Sequence, residues 1–300
     1  DNQGIIKGSG SQRYSGRLNL NKELAKWIHV GIRANFTYIK TDRNKAKFSG
    51  SSISNGAMYL APTIGLLDSH NPYYENGALI NTPYASIVNE EYYQTKSYHN
   101  YTGIVRIIPF KKLHIRSQNG LQMATTDIYH YWPSWMPKKK NQEGADAYRN
   151  NNEWMRLSTE NTITYKDKFG KNHFFDVMAG FSAIRITSKT MAVQAKSMLN
   201  DEAKWDNFAA IGSKENYTVS SSVANMTKMS GFARMNYNYA GRYYLTATVR
   251  ADGSSNFAAN RKWGLFPSAA FKWNIRQEPF LKYVRWINQL DLRLSYGRTG

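Results

Sequence analysis

"GRYYLTATVRADGSSNFAANRKWGLFPSAAFKWN", residues 241–274, is the stretch whose reading decides the fold. With a period of two, Tyr243, Leu245, Ala247, Val249 and Ala251 point one way, and Tyr244, Thr246, Thr248, Arg250 and Asp252 point the other. Such a strand needs apolar cover on one face and water on the other. The chain as a whole offers little obvious cover, since its mean hydropathy is −0.61. It is also strongly basic, with 40 Lys and Arg against 21 Asp and Glu, a net charge of +19.

The same alternation recurs along all 300 residues. Ile28, Val30, Ile32, Ala34, Phe36 and Tyr38 share a face, as do Leu113 and Ile115 in the next clear case. Phe175, Val177, Ala179, Phe181 and Ala183 form a third set, followed by Ala233, Met235 and Tyr237, then Leu290, Leu292, Leu294 and Tyr296. Weaker strands lie near 12–20, 98–108 and 155–165, for about ten in all, many of ten or more residues. Strands in soluble domains cluster near about 5–6 residues, whereas a tilted bilayer-spanning strand needs about 9–11. Half-buried strands of a sandwich alternate in the same way, so length and not alternation favours the membrane.

The connections sharpen this expectation. Read in order they run short, then long: 21–26 and 40–97, 109–112 and 124–153, 166–172 and 186–227, 240–242 and 253–262. Up-and-down transmembrane barrels keep one rim short and the other long. The next turn, 277–289, is longer than its predecessor and carries Glu278-Pro279, where Pro suits the first turn of a short helical segment. Tyr239 and Tyr243 both belong to the apolar set, so the loop between them holds three residues, Ala240-Gly241-Arg242, with Gly241 at positive φ. Trp27, Tyr165, Tyr239, Tyr243, Trp273 and Trp286 fall at short-turn strand ends, and Tyr38, Tyr98, Trp154 and Trp263 at long-loop ends. Two such bands are the expected girdles of a membrane interface.

Other classes find less support. The chain has no Cys, which removes disulfides, thiolate metal sites and a cysteine nucleophile. No run of 18 apolar residues could form a transmembrane helix. The six His show no metal-ligand spacing, and neither a GxSxG elbow nor a phosphate-binding GxxxxGK[ST] loop occurs. Glu90-Glu91 and Asp201-Glu202 read as loop surface, and no catalytic residue, metal or cofactor is expected. The positive charge calls for an anionic neighbour, which nucleic acid, an anionic lipid surface or an acidic part of the same protein would supply.

From residue 230 onward the sequence closely resembles the SusC/RagA family of TonB-dependent outer-membrane transporters. The resemblance is carried by Arg250-Ala251-Asp252-Gly253-Ser254-Ser255 with Phe257, and by Trp263-Gly264-Leu265-Phe266-Pro267-Ser268. Glu278-Pro279-Phe280 and Leu292-Arg293-Leu294-Ser295-Tyr296-Gly297 complete it, and residues 13–21, 27–38 and 160–183 agree more loosely. The resemblance implies an all-β fold, with these ten or so antiparallel strands forming part of a 22-stranded transmembrane β-barrel with short periplasmic turns and long extracellular loops. It also implies import of oligosaccharides or peptides across a Gram-negative outer membrane, energised through TonB and shared with a SusD-like surface lipoprotein. Residues 1–300 then make up a partial barrel, and the plug domain, signal peptide and C-terminal strands are expected elsewhere.

Candidate contacts follow. Trp132 and Trp135 stand in the loop "YHYWPSWMPKKK", beside Lys138–Lys140, and Tyr73 and Tyr74 in "NPYYENG"; aromatic faces suit sugar C–H surfaces, or else pack the loop. Arg33, Arg234, Arg250 and Arg293 fall on the polar, lumen-facing set and are expected to pair with plug carboxylates or to meet substrate. Asp252 is expected to hold local backbone amides in an Asx-type turn. Two rival readings remain open here: a passive porin or barrel adhesin, and a soluble β protein that binds polyanions.

Overall fold

The computed structural model describes residues 8–42, 87–135, 144–202, 204–208 and 214–299, together with strand backbone at 2–3, 73–75 and 78–80. Among these residues the strands are β1 (Asn2–Gln3), β2 (Gly10–Ala25), β3 (Ile28–Asp42), β4 (Tyr73–Glu75), β5 (Ala78–Ile80), β6 (Glu91–Phe110) and β7 (Leu113–Trp132). They continue with β8 (Ala145–Phe169), β9 (His173–Met198), β10 (Tyr217–Tyr239), β11 (Tyr243–Ser254), β12 (Trp263–Asn274) and β13 (Asp291–Gly297). β4 pairs with β5 alone, and the other eleven form a single antiparallel sheet in chain order. It is an up-and-down meander whose edges, β1 and β13, do not pair with each other among the described residues.

Register turns the separate alternations into two faces. One row of cross-strand partners runs Ile28, Ile107, Ile115, Ile163, Ala179, Ala233, Val249, Pro267 across eight strands without a polar side chain. The neighbouring row, one residue along each strand, runs His29, Arg106, Arg116, Thr162, Gly180, Phe232, Arg250, Phe266 and belongs to the opposite face. A one-residue slip anywhere would exchange these faces, so the pattern fixes the pairing of every strand. The apolar face has one polar interruption, Ser117 and Asn119 on β7 beside Asn161 and Thr159 on β8. There Asn119 donates to Ser117 at 3.1 Å and Asn161 to Thr159 at 3.0 Å.

No second layer covers the apolar face. Val249 is 42% exposed, Leu245 39% and Ile163 46%. The chain exposes 20443 Å², whereas a globular monomer of its mass exposes about 13,000 Å². This is a one-layer wall, held by its ladders and not by a core.

The short connections share a rim and are bonded to one another: Ile108 N–H to Trp27 O, Lys166 N–H to Lys112 O, Ala240 N–H to Asn172 O, and Asn274 N–H to Arg242 O, at 2.7–2.8 Å. At the loop 240–242, Tyr239 faces Tyr243 as the parity required. Arg242 N–H bonds Tyr239 O at 2.9 Å, and both Ala240 (φ 53) and Gly241 (φ 71) are left-handed. That is the type I′ geometry, whose twist matches the strands it joins. Pro279 opens a 3₁₀ turn, Pro279–Leu281, as its fixed φ favours.

Three expectations need correction. The strands are longer than the alternation indicated: β7 reaches 132, β8 starts at 145, β9 reaches 198 and β10 starts at 217, so much of 124–153 and 186–227 is ladder and not loop. The long-loop aromatic band is half as large, because Tyr98 and Trp154 sit on the polar face, on either side of Ala124, while Tyr38 faces Tyr14 on the apolar side. Asp252 does not cap backbone amides: its carboxylate accepts both its bonds from Arg250 Nε, at 2.7 and 2.9 Å. The hairpin amides go to serines instead, Asn256 N–H to Ser254 Oγ and Thr227 N–H to Ser255 Oγ.

Candidate functional site

Two regions carry functional chemistry, the polar face and the long-loop rim. All four arginines singled out from the sequence lie on the polar face, and they divide into two kinds. Arg250 holds Asp252, bonds Ser230 Oγ at 3.0 Å and lies 5.4 Å over the Phe232 ring. Arg293 shares Asp291 with Lys272, at 3.5 and 3.3 Å. Arg33 and Arg234 have no ion pair among the described residues. Sequence reasoning missed two further cations. Arg106 stands directly opposite Arg116, a like-charge pairing that costs stability in a sheet. Arg116 turns toward Gln118 on its own strand, leaving its Nε buried without a hydrogen-bond partner. Only the register brings those two together, so no local motif announces them.

At the long-loop rim the wall carries packing on both faces. On the polar side Tyr92 stacks on His130 at 4.3 Å, Trp132 packs against the same imidazole, and His130 Nε2 meets Glu90 at 2.9 Å with both side chains nearly buried. On the apolar side Tyr93, Tyr129 and Tyr131 receive Trp205 edge-on, above Ala145, Ala147, Ala195 and Met198. Asp201 ties this cluster down, accepting from the Tyr131 hydroxyl and from Ser134 N–H and Oγ at 2.8 and 2.6 Å. Burial, then Asp201, pushes the Tyr131 hydroxyl pKa far up, so it stays a neutral donor. Glu90 and Asp201 are therefore structural staples and not the solvated loop surface expected of them.

The aromatic candidates fare unequally. Trp132 is engaged by His130, whereas Trp135 is exposed in the following turn. Tyr73 and Tyr74 lie on β4, opposite Ile80 and Leu79 of β5; Lys138–Lys140 lie outside the described residues. Among the described residues no group of His, Asp and Glu could hold a metal ion. No helix is long and apolar enough to cross a membrane, which says nothing about strands.

Comparison with known proteins agrees with this architecture. No family model matches the chain. It is 29% identical over 310 aligned positions to TonB-dependent receptor P39 of Formosa agariphila, covering 100% of this chain and 28% of the relative. Against TonB-dependent receptor SusC of Bacteroides thetaiotaomicron it is 25% identical, covering 100% of this chain and 31% of that one. The chain thus spans less than a third of the length of these curated relatives. The structure titled "Structure of the RagAB peptide transporter" superimposes with a TM-score of 0.81 over 96% of this chain and 33% of that one, at 21% identity. The siderophore receptor PiuA from Acinetobacter baumannii gives 0.51 over 92% of this chain and 42% of that one, at 9% identity. These names are those of receptors and transporters, not enzymes. By sequence along its whole length, and by a sheet that overlays the wall of such a transporter, the chain belongs to the SusC/RagA family of TonB-dependent receptors.

Proposed function

We propose that the chain is barrel wall of an outer-membrane importer, with its apolar face against lipid, its polar face lining the lumen and its short turns on the periplasmic side. The observation that carries this is the uninterrupted apolar row from Ile28 to Pro267, left uncovered by any other part of the described chain. A soluble sheet would bury such a row under helices or a second sheet; hydrocarbon covers it here. The fluid-facing side can then afford the arginines that lipid would reject.

On this reading residues 1–300 are part of the barrel only, and the plug and the TonB-contacting segment belong to the rest of the receptor. Import is energised through TonB, a SusD-like lipoprotein shares the substrate, and that substrate is an oligosaccharide or a peptide. Support for the last two comes from the names of the relatives, one a SusC and one a peptide transporter. Arg33 and Arg234 are assigned to plug or substrate, because Arg250 and Arg293 already hold wall carboxylates. Trp135, 41% exposed, is the better placed of the loop tryptophans to meet a ligand, since His130 engages Trp132.

The test uses adjacent residues of opposite parity in the full-length receptor. Val249→Arg puts a charge against mid-belt lipid, at a cost of about 2–4 kcal/mol; Thr248→Arg puts it in the lumen. Outer-membrane levels and heat-modifiable gel mobility should fall for the first and hold for the second. Equal levels of the two would overturn the facing. Release of the wild type by high salt without detergent would favour the soluble rival, because polyanion binding is salt-labile.

A further inference from the structure

The excess of positive charge is not spread evenly over the wall. Along the short-turn rim, Lys22, Lys26, Lys111, Lys171, Lys282 and Arg285 are exposed, and none forms an ion pair among the described residues. The rim has carboxylates, but the wall itself occupies them. Asp167 takes Lys112 at 2.7 Å and the Tyr165 hydroxyl at 2.9 Å. Glu278 takes Arg242, Tyr243 and Trp273, while Asp291 takes Lys272 and Gln289. Asp176 takes Asn236 at 2.8 Å, and Glu23 lies 4.0 Å from His29. The uncompensated cations must find their anions outside this wall.

Their neighbours say of what kind. Every connection on this rim except the tight loop 240–242 sets an exposed aromatic beside a free cation: Lys26 with Trp27, Phe110 with Lys111, Phe169 with Lys171, then Lys282 with Tyr283 and Arg285 with Trp286. Trp27 is 48% exposed, Phe169 75% and Trp286 83%. Phe169 pairs with His173 on the apolar parity, so its ring continues the apolar face past the Tyr165 and Tyr243 positions. Aromatic rings at a belt's edge with ammonium groups just beyond them match the depth profile of a phospholipid leaflet, with acyl carbon first and phosphate next. A soluble acidic partner would need the cations but not the rings at the belt's edge.

We propose that this rim binds the phosphates of anionic phospholipids, one cation–aromatic pair per head group, and so fixes the depth of the wall in the leaflet that its short turns meet. The proposal rests on the membrane-spanning reading above, and its test is arranged so that the two fail separately.

The full-length receptor is first checked for resistance to alkaline carbonate extraction; its release there would sink the membrane reading. The retained receptor is placed in nanodiscs of equal phosphatidylglycerol and phosphatidylcholine, extracted gently, and its bound lipid identified by native mass spectrometry. The wild type should retain phosphatidylglycerol several-fold over phosphatidylcholine. The combined variant Lys26→Gln, Lys111→Gln, Lys171→Gln, Lys282→Gln should lose that preference. The same four changed to Arg should keep it, as should a control with Lys40, Lys189, Lys196 and Lys262 changed to Gln at the other rim. No preference in a carbonate-resistant wild type would overturn the proposal and assign the cations to an acidic polypeptide. Equal loss in the opposite-rim control would overturn it too. If the Gln variant fails to assemble, the wild type decides the matter through salt: 0.5 M NaCl should abolish the preference, and an unchanged preference would count against phosphate pairing (about 3–10 Å screening lengths apply over this range).

Discussion

Gly241 and Gly16 show how much one residue's backbone can matter when its surroundings do not. A Cβ at either would meet nothing within 4 Å, but Gly241 sits at φ 71 and Gly16 in the extended ladder of β2. Gly241→Ala in the full-length receptor should therefore cost about 1–2 kcal/mol, and Gly16→Ala should cost nothing measurable; urea unfolding from liposomes reads both. A second single-residue effect is electrostatic. Glu278 lies in the connection after β12, its carboxylate accepting from the Tyr243 hydroxyl at 2.5 Å, Trp273 Nε1 at 2.9 Å and Arg242 at 3.0 Å. Those donors, Tyr243 foremost, hold its carboxyl below the usual carboxylate range, against the opposing effect of burial. A depressed carboxyl stabilises the fold above its unfolded value and loses that contribution as pH falls through its folded value. Residues 275–290 should stay docked at neutral pH and exchange amide hydrogens faster in strong acid. Glu278→Gln should show fast exchange there already at pH 7, with little further dependence on acid. The motif residues that carry the family resemblance are explained at this scale too: Glu278 staples the turn, Arg250 pairs with Asp252, and the Trp263 ring lies across Gly253, where a Cβ would stand 2.9 Å from it.

At the scale of the element, β8 and β9 have 25 and 26 residues, while a tilted crossing needs about 9–11. The remainder projects beyond the belt as free-standing ladder, and this is where sequence reading stopped short. Where lipid meets the wall, one face must be apolar, and the alternation of Phe175, Val177 and Ala179 displays it. Above the belt both faces are wet or locally packed, so Asn150, Asn151 and Asn152 can follow one another in a continuous strand with no periodic signal. The same loss of signal hid Trp205, whose role depends on Tyr93, Tyr129 and Tyr131 from two other strands. The three-residue turn, by contrast, was legible because parity on both sides allowed no other length. Because Asn150 pairs with Ala192 and Asn152 with Thr190 in an unbroken register, residues 145–153 and 189–195 should exchange amide hydrogens as slowly as the belt region. Exchange complete within seconds would return these segments to loops.

At the scale of the whole molecule the deciding feature is an open sheet. β13 ends the order on one side and β2, with the two-residue β1 beside it, ends it on the other. Barrel diameter grows with strand number, and this sheet overlays one third of a much longer transporter chain with a TM-score of 0.81. Its curvature is thus that of a wider cylinder, in which ten long strands cover only part of the circumference and the two edges stay apart. An unpaired edge offers a row of free N–H and C=O groups that will take up any available strand; Leu18 and Leu20 on β2 and Tyr296 on β13 add exposed apolar surface to it. Refolded by itself into detergent, the 300-residue chain should give a broad mixture of oligomers by size exclusion and no heat-modifiable monomer band. Refolded within the full-length receptor, the same strands should give a single heat-modifiable species. A sharp monomer from the chain alone would mean that β2 and β13 find each other and that the wall closes at a smaller diameter. The row from Ile28 to Pro267 would then wrap a narrow barrel, and the polar face, with Arg33, Arg106 and Arg116 crowded inward, would have to fill its own interior.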